Sequence, residues 1–204
     1  MRSNKEANRR LHSVAEAQAG FFTAKQAQSA GFSPSSHTYH VQEGDWVREQ
    51  RGIYRLTSFP EALRPELTRW HLWSMDRSGR AQGVYSHSTA LDLYLTPQKR
   101  RTELHMTVPK GFRRSGGTPE GLTLYYADLP KGDIAEGRGF RVTTALRTVL
   151  DLAVGSGAAA HAVPRRELSK ALLHILERRL ITRAQVRSAK VPEASRLVLE
   201  ELLG

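Results

Sequence analysis

Three linked pieces decide the fold: Thr23-Ala-Lys-Gln-Ala27, Gly31-Phe-Ser-Pro-Ser-Ser-His-Thr-Tyr-His-Val41, and Trp46-Val-Arg-Glu-Gln-Arg-Gly-Ile-Tyr-Arg-Leu56. Thr23 is a good N-cap for a helix over 24–30, and Gln26 follows it at capping-box spacing. Gly31 stops that helix. Ser33 then offers a second N-cap with Pro34 at the first helical position, where a missing N–H costs nothing, so a second helix is expected from Pro34 to about Glu43. On it His37, His40 and Val41 share one face with Phe32 just before, while Ser35, Ser36, Tyr39 and Gln42 share the other. Gly44-Asp45 turns the chain into Trp46–Glu49, and Ile53–Leu56 returns after the loop Gln50-Arg51-Gly52, a hairpin with glycine at its tip. Helix, turn, helix and basic hairpin make a winged helix-turn-helix, a motif used most often to read DNA.

Upstream, Leu11, Val14, Ala15 and Ala19 recur at intervals of three and four and predict an amphipathic helix over 8–19, ended by Gly20, with Phe21 and Phe22 as buried spacers. Downstream, Phe59-Pro60 and Arg64-Pro65 punctuate the chain. A boundary near 57–65 is therefore expected, with a winged-helix domain over 1–60 and a second domain over 61–204. In the second domain, a helix over 66–77 would bury Leu67, Trp70, Leu72 and Trp73, and residues 84–94 read as a short extended piece joined to a helix. Residues 104–108, 122–126 and 139–142 read as strands of a small mixed sheet. Helices are expected over 144–153, 165–179, 182–188 and 193–203, with Gly155-Ser-Gly-Ala-Ala-Ala160 as a linker and no internal repeat. The expected class is α+β: an N-terminal winged helix-turn-helix, then a mixed α/β domain with a small sheet and C-terminal helices.

Composition narrows the function. The chain has no cysteine, which removes disulfides, thiolate metal sites and cysteine nucleophiles together. Its net charge of +11 points to a polyanionic partner, because lysines and arginines facing phosphates release condensed counterions. No run reaches the roughly 20 apolar residues of a membrane helix. The charged opening Met1-Arg-Ser-Asn-Lys-Glu-Ala-Asn-Arg-Arg10 has no apolar stretch behind it, so a cytoplasmic protein is expected.

The phrases Phe22-Thr-Ala-Lys-Gln-Ala27, Ala30-Gly31, Asp45-Trp-Val-Arg48 and Arg51-Gly-Ile-Tyr-Arg55 resemble the N-terminal winged helix of AbiEi-type antitoxins, from type IV toxin–antitoxin systems. Ser86-His-Ser-Thr-Ala-Leu91, Leu104-His-Met-Thr-Val-Pro109 and Val142-Thr-Thr-Ala-Leu-Arg-Thr-Val-Leu-Asp-Leu-Ala153 resemble phrases of the same family's C-terminal domain, in the family's order. The resemblance implies a transcriptional autorepressor that binds inverted repeats in its own promoter. It also implies a functional partner, a nucleotidyltransferase-like toxin, neutralised through the C-terminal domain with or without a stable complex. The family's reading helix commonly carries arginines after the capping serine. Here those positions are Pro34, Ser35, Ser36, Thr38 and Tyr39, so affinity is expected from the wing and from phosphate and groove-shape contacts.

The expected DNA-facing set is Lys25, Ser33, Ser35, Ser36 and Tyr39 from the helices, with Arg48, Arg51 and Arg55 from the wing. The alternatives are a winged helix that serves as a scaffold for protein contacts, and a DNA-binding nuclease. A nuclease needs clustered carboxylates and a lysine around Mg²⁺, and the acidic residues after Asp151 are scattered over separate helices. No catalytic residue, metal or cofactor is expected. His37 and His40 have a metal-like spacing but lie on the inward face, where packing and hydrogen bonding are the expected roles. Ser86-His87 invites a nucleophile-and-base reading, yet adjacent residues in extended chain seldom face each other, so Ser86 or Ser88 is expected to cap the following helix. Asp151 is expected to pair with Arg147, four residues earlier. Two basic groups, Lys99-Arg100-Arg101 with Lys110, Arg113 and Arg114, and Arg165, Arg166, Lys170, Arg178 and Arg179, are solvated faces or a second positive surface.

Overall fold

Helix α1 (Arg2–Ala17) turns Ala7, Leu11 and Ala15 inward at four-residue spacing, and all three are buried. A computed structural model describes residues 2–97, 102–154 and 163–203 of the chain. After α1 come β1 (Phe21–Thr23), α2 (Ala24–Ala30), α3 (Ser36–Gln42), β2 (Trp46–Gln50) and β3 (Ile53–Leu56). The three strands form one antiparallel sheet in the order β1-β3-β2, with Phe22 opposite Tyr54 and Trp46 opposite Leu56. Phe22, Ala27, Phe32, Trp46 and Leu56 close on Ala7, Leu11 and Ala15 to make a core of their own. The Phe22 ring meets Trp46 edge-on, centroids 4.8 Å apart.

Two local expectations change here. Phe21 and Phe22 are the start of a strand, because pairing with β3 satisfies their backbone; three residues are too short to show a period of two. The second helix of the motif begins at Ser36, two residues later than expected. Ser33 still shapes its entry: its Oγ accepts from Ser36 N at 3.3 Å and its carbonyl accepts from the same N–H at 3.0 Å, so the first turn is closed by three-residue bonds. The capping box on α2 is as expected, with Gln26 N donating to Thr23 Oγ1 at 3.2 Å and Thr23 N to Gln26 Oε1 at 2.8 Å.

Contacts divide the chain into one unit of residues 1–83 with 136–141 and a second of residues 84–135 with 142–204. The first extends past the expected boundary near 57–65 because α4 (Pro65–Trp73) packs against β1 and β3. The second unit contains β4 (Val84–Tyr85), α5 (His87–Leu95), β5 (Leu104–Val108), β6 (Leu122–Tyr126), β7 (Ile134–Glu136), β8 (Arg141–Thr143) and α6 (Ala145–Val154), the ends of β7 and β8 falling in the first. It closes with α7 (Arg165–Glu177), α8 (Arg183–Ser188) and α9 (Glu193–Leu203). The sheet order is β6-β5-β4-β8-β7, with β4 antiparallel to β5 and parallel to β8, and β5 parallel to β6. The molecule is thus α+β, as the sequence indicates. Leu91, Val149, Leu172, Ile175, Val186 and Leu199 join α5 through α9 in a helical core. Lys99-Arg100-Arg101 and the small-residue stretch 155–160 lie outside the described residues. Among the described residues no helix is long and apolar enough to cross a membrane.

Candidate nucleic-acid interface

Helix α3 sorts its side chains by face. His37 is buried, with its ring against Trp46 and Tyr54, and the His40 ring stacks on Trp46 at 4.7 Å while its Nδ1 hydrogen-bonds Asp45 Oδ2 at 3.0 Å. Burial and the neighbouring His40 hold His37 below the usual histidine range. Both rings therefore anchor α3 to the wing sheet. The opposite face, Ser35, Thr38, Tyr39 and Gln42, is exposed, and Tyr39 is 57% open to solvent. An uncharged helix face built from hydroxyls, an amide and a phenol can donate to and accept from base edges or phosphates without a net charge of its own.

The serines are not equivalent. Ser36 Oγ donates to Ser33 O at 2.8 Å and Ser33 Oγ already bridges Ser36 N and Ser35 Oγ, so Ser33 and Ser36 build the turn. Ser35 and Tyr39 are the more available of the expected set. On the wing, Arg48 and Arg51 are exposed, with Gly52 in left-handed conformation (φ 76°) letting the strands reverse over two residues. Arg55 differs from them. Its Nε donates to Glu49 Oε1 at 2.8 Å, and both side chains are only 17% exposed, so its charge is already matched within the hairpin. Lys25 is exposed on the first turn of α2. Ala24 N donates to Gly52 O at 2.9 Å, which fastens this end of α2 to the wing turn.

The second unit holds a contrasting polar cluster. Ser86 occupies the position before α5 but makes no side-chain cap there; the expected capping role fails because His87 adopts φ 51° and folds its ring back, its Nδ1 lying 2.9 Å from Ser86 Oγ. Thr107 Oγ1 donates to Ser86 Oγ at 2.8 Å, so the serine oxygen sits between a threonine hydroxyl and the imidazole. The His87 ring stacks on Tyr125 at 3.6 Å, and Tyr125 OH meets His105 Nδ1 at 3.0 Å. Burial, with His105 and Arg147 close by, depresses the His87 pKa to about 4. Ser86 is fully buried, which withholds its hydroxyl from any substrate. Asp151 pairs with Arg147 at 2.7 Å as expected, while burial raises its carboxyl above the usual range. The basic groups are partly used internally: Arg165 pairs with Glu201 at 2.8 Å, Arg178 donates to Tyr94 O at 2.5 Å, and Arg113 donates to Phe112 O at 2.7 Å.

Residues 9–57 match the model of a family described as transcriptional regulators, AbiEi antitoxin. The matched span ends with the wing. The crystal structure of the RV2827C protein from Mycobacterium tuberculosis has a similar fold, with a TM-score of 0.60 at 14% identity over 98% of this chain and 76% of that one. No curated protein matches the chain.

Proposed function

We propose that this chain is the antitoxin and autorepressor of a type IV toxin–antitoxin pair, binding inverted repeats in its own promoter through α3 and the wing. The observation that carries the reading is the pairing, inside a segment matched to a regulator family, of an exposed uncharged helix face with two exposed wing arginines. Phosphates supply most of the affinity through Arg48 and Arg51, and Ser35, Tyr39 and Gln42 contribute what base and groove discrimination there is. Arg55 positions the hairpin through Glu49. The second domain counteracts a nucleotidyltransferase-like toxin encoded nearby, and the chain performs no catalysis of its own.

A gel shift on the upstream promoter region tests the DNA half. Wild type shifts it in a salt-sensitive way, and Arg51→Ala weakens binding by roughly tenfold, the equivalent of about 1.4 kcal/mol. A wild-type protein with neither salt sensitivity nor promoter preference contradicts it. Co-expression with the neighbouring gene tests the other half: the full chain restores growth in the presence of the toxin, and its failure to do so refutes an antitoxin.

A further inference from the structure

The turn between α4 and β4 is a small hairpin with a fixed shape. Met75 and Ala81 form an antiparallel bridge, and Asp76 N donates to Arg80 O at 2.9 Å. Asp76 Oδ1 accepts from Ser78 N at 2.8 Å, Ser78 Oγ at 2.6 Å and Arg80 N at 3.0 Å. Gly79 takes the left-handed conformation at the tip, φ 83°. Ser74 Oγ accepts from Gly83 N at 2.8 Å, and Arg141 donates to Ala81 O, so both arms of the hairpin are held. Asp76 stays ionised because the Ser78 hydroxyl and the Arg80 and Ser78 amides lower its pKa to about 2.

This hairpin presents Arg77 and Arg80 to solvent: Arg80 Nε donates to Ser78 Oγ at 2.9 Å and lies 3.5 Å from Asp76 Oδ2, but unlike Arg55 its side chain is 84% exposed, so water screens that pair and the guanidinium keeps an open face. Its place is set by Lys25, whose Nζ donates to Arg77 O. The same end of α2 is tied to the wing turn through Ala24 N and Gly52 O. Two hydrogen bonds thus link the wing turn, the start of α2 and the 75–81 hairpin in series, and these three pieces carry Arg51, Lys25, Arg77 and Arg80. In a helix-turn-helix the first helix of the motif crosses the sugar–phosphate backbone while the second enters the groove.

We infer that the 75–81 hairpin is a second wing, a DNA-backbone clamp in which Arg77 and Arg80 grip phosphates beyond those reached by Arg51 and Lys25. This rests on the DNA-binding reading above. The hairpin lies in the α4–β4 connection, outside the span matched to the regulator family. Phosphate contacts carry no sequence information, so the hairpin lengthens the footprint without changing the preferred site.

The test is fluorescence anisotropy of the full chain on a promoter duplex and on a scrambled duplex of equal length, each across a range of salt. Arg77→Ala/Arg80→Ala is compared with wild type and with Arg166→Ala/Lys170→Ala in the second unit. Loss of two phosphate contacts lowers the slope of log affinity against log salt by about 2, with the same fold loss on both duplexes. Arg77→Lys/Arg80→Lys restores the slope, because a point charge suffices for a phosphate. A double alanine variant with the wild-type slope overturns the clamp, as does a loss confined to the promoter duplex. Failure of wild type to bind either duplex overturns the DNA reading itself, which separates the two results.

Discussion

The segments Thr23-Ala-Lys-Gln26-Ala-Gln-Ser29-Ala30 and Thr182-Arg-Ala-Gln185-Val-Arg-Ser188-Ala189, one in each unit, use the same local rules toward different surfaces. Each opens a short helix with a capping box, the threonine N–H meeting the glutamine Oε1 at 2.8 Å and the glutamine N–H meeting the threonine Oγ1 at 3.2 Å in both. The helix before each ends alike: Ala19 (φ 52°) lets Gly20 N reach Ala15 O at 2.7 Å, and Arg179 (φ 54°) lets Leu180 N reach Ile175 O at 3.1 Å. Phe22 and Ile181 are the buried anchors just ahead of the caps, Ala27 and Val186 are buried one turn in, and Pro34 and Pro192 precede the next helix. The outer faces then part. Helix α3 shows Ser35, Tyr39 and Gln42, whereas α9 shows Glu193, Leu197, Glu200 and Glu201. Carboxylates at those positions repel phosphates, so the backbone pattern alone does not make a DNA reader; the side chains facing out decide it.

Core truncation breaks both copies alike. Phe22→Ala costs about 3–5 kcal/mol and Ile181→Ala about 2–5 kcal/mol, read from denaturant midpoints at constant m-value. Equal insensitivity of the two sites contradicts their shared anchoring role. Acid comes next. His71 in the first unit and His87 in the second are both held near a pKa of about 4 against an ordinary 6.5, chiefly by burial. Their folded pKa is depressed, so the unfolded chain binds more protons between about pH 6.5 and pH 4. Stability is complete above that window and falls as pH drops through it, by of order 3 kcal/mol for His87. His87→Asn, which tolerates the left-handed backbone, flattens its share of the curve; an unchanged curve excludes His87 as a source.

The sharpest contrast between the copies concerns DNA. Arg48→Ala/Arg51→Ala lowers promoter affinity by roughly 30-fold or more, while Glu193→Ala/Glu200→Ala leaves it within about twofold. A larger effect from the α9 pair reverses the assignment of the reading face. The smallest effect is the most diagnostic of local rules: Thr23→Ala and Thr182→Ala each cost about 1 kcal/mol of stability, and Thr23→Ala alone also weakens DNA binding. Urea titrations and anisotropy on the same samples separate the two.

Elements with a strong local signal were legible in the sequence: the α2 capping box, the wing, the strands over 104–108 and 122–126, and the Arg147–Asp151 pair. What escaped depends on partners distant in the chain. Strand β1 exists because Phe21–Thr23 pair with β3, and β7 is three residues long. Ser86 and His87 face each other only because His87 takes a backbone conformation rare outside glycine. The repeat of the capped turn is too short to register as a periodicity. In the interface, exposure distinguishes Arg48 and Arg51 from Arg55, whose neutralisation by Glu49 depends on hairpin register. Arg77 and Arg80 carried no motif at all; the link from Lys25 Nζ to Arg77 O joins their hairpin to α2 across 52 positions of chain.

The most direct test of promoter reading by α3 and the wing is hydroxyl-radical footprinting of the full chain on its own promoter region. The predicted result is protection of sugar–phosphate positions in two inverted half-sites, lost together in Arg48→Ala/Arg51→Ala and retained in Glu193→Ala/Glu200→Ala. Uniform cleavage along the wild-type complex, or a footprint that survives loss of both wing arginines, contradicts it.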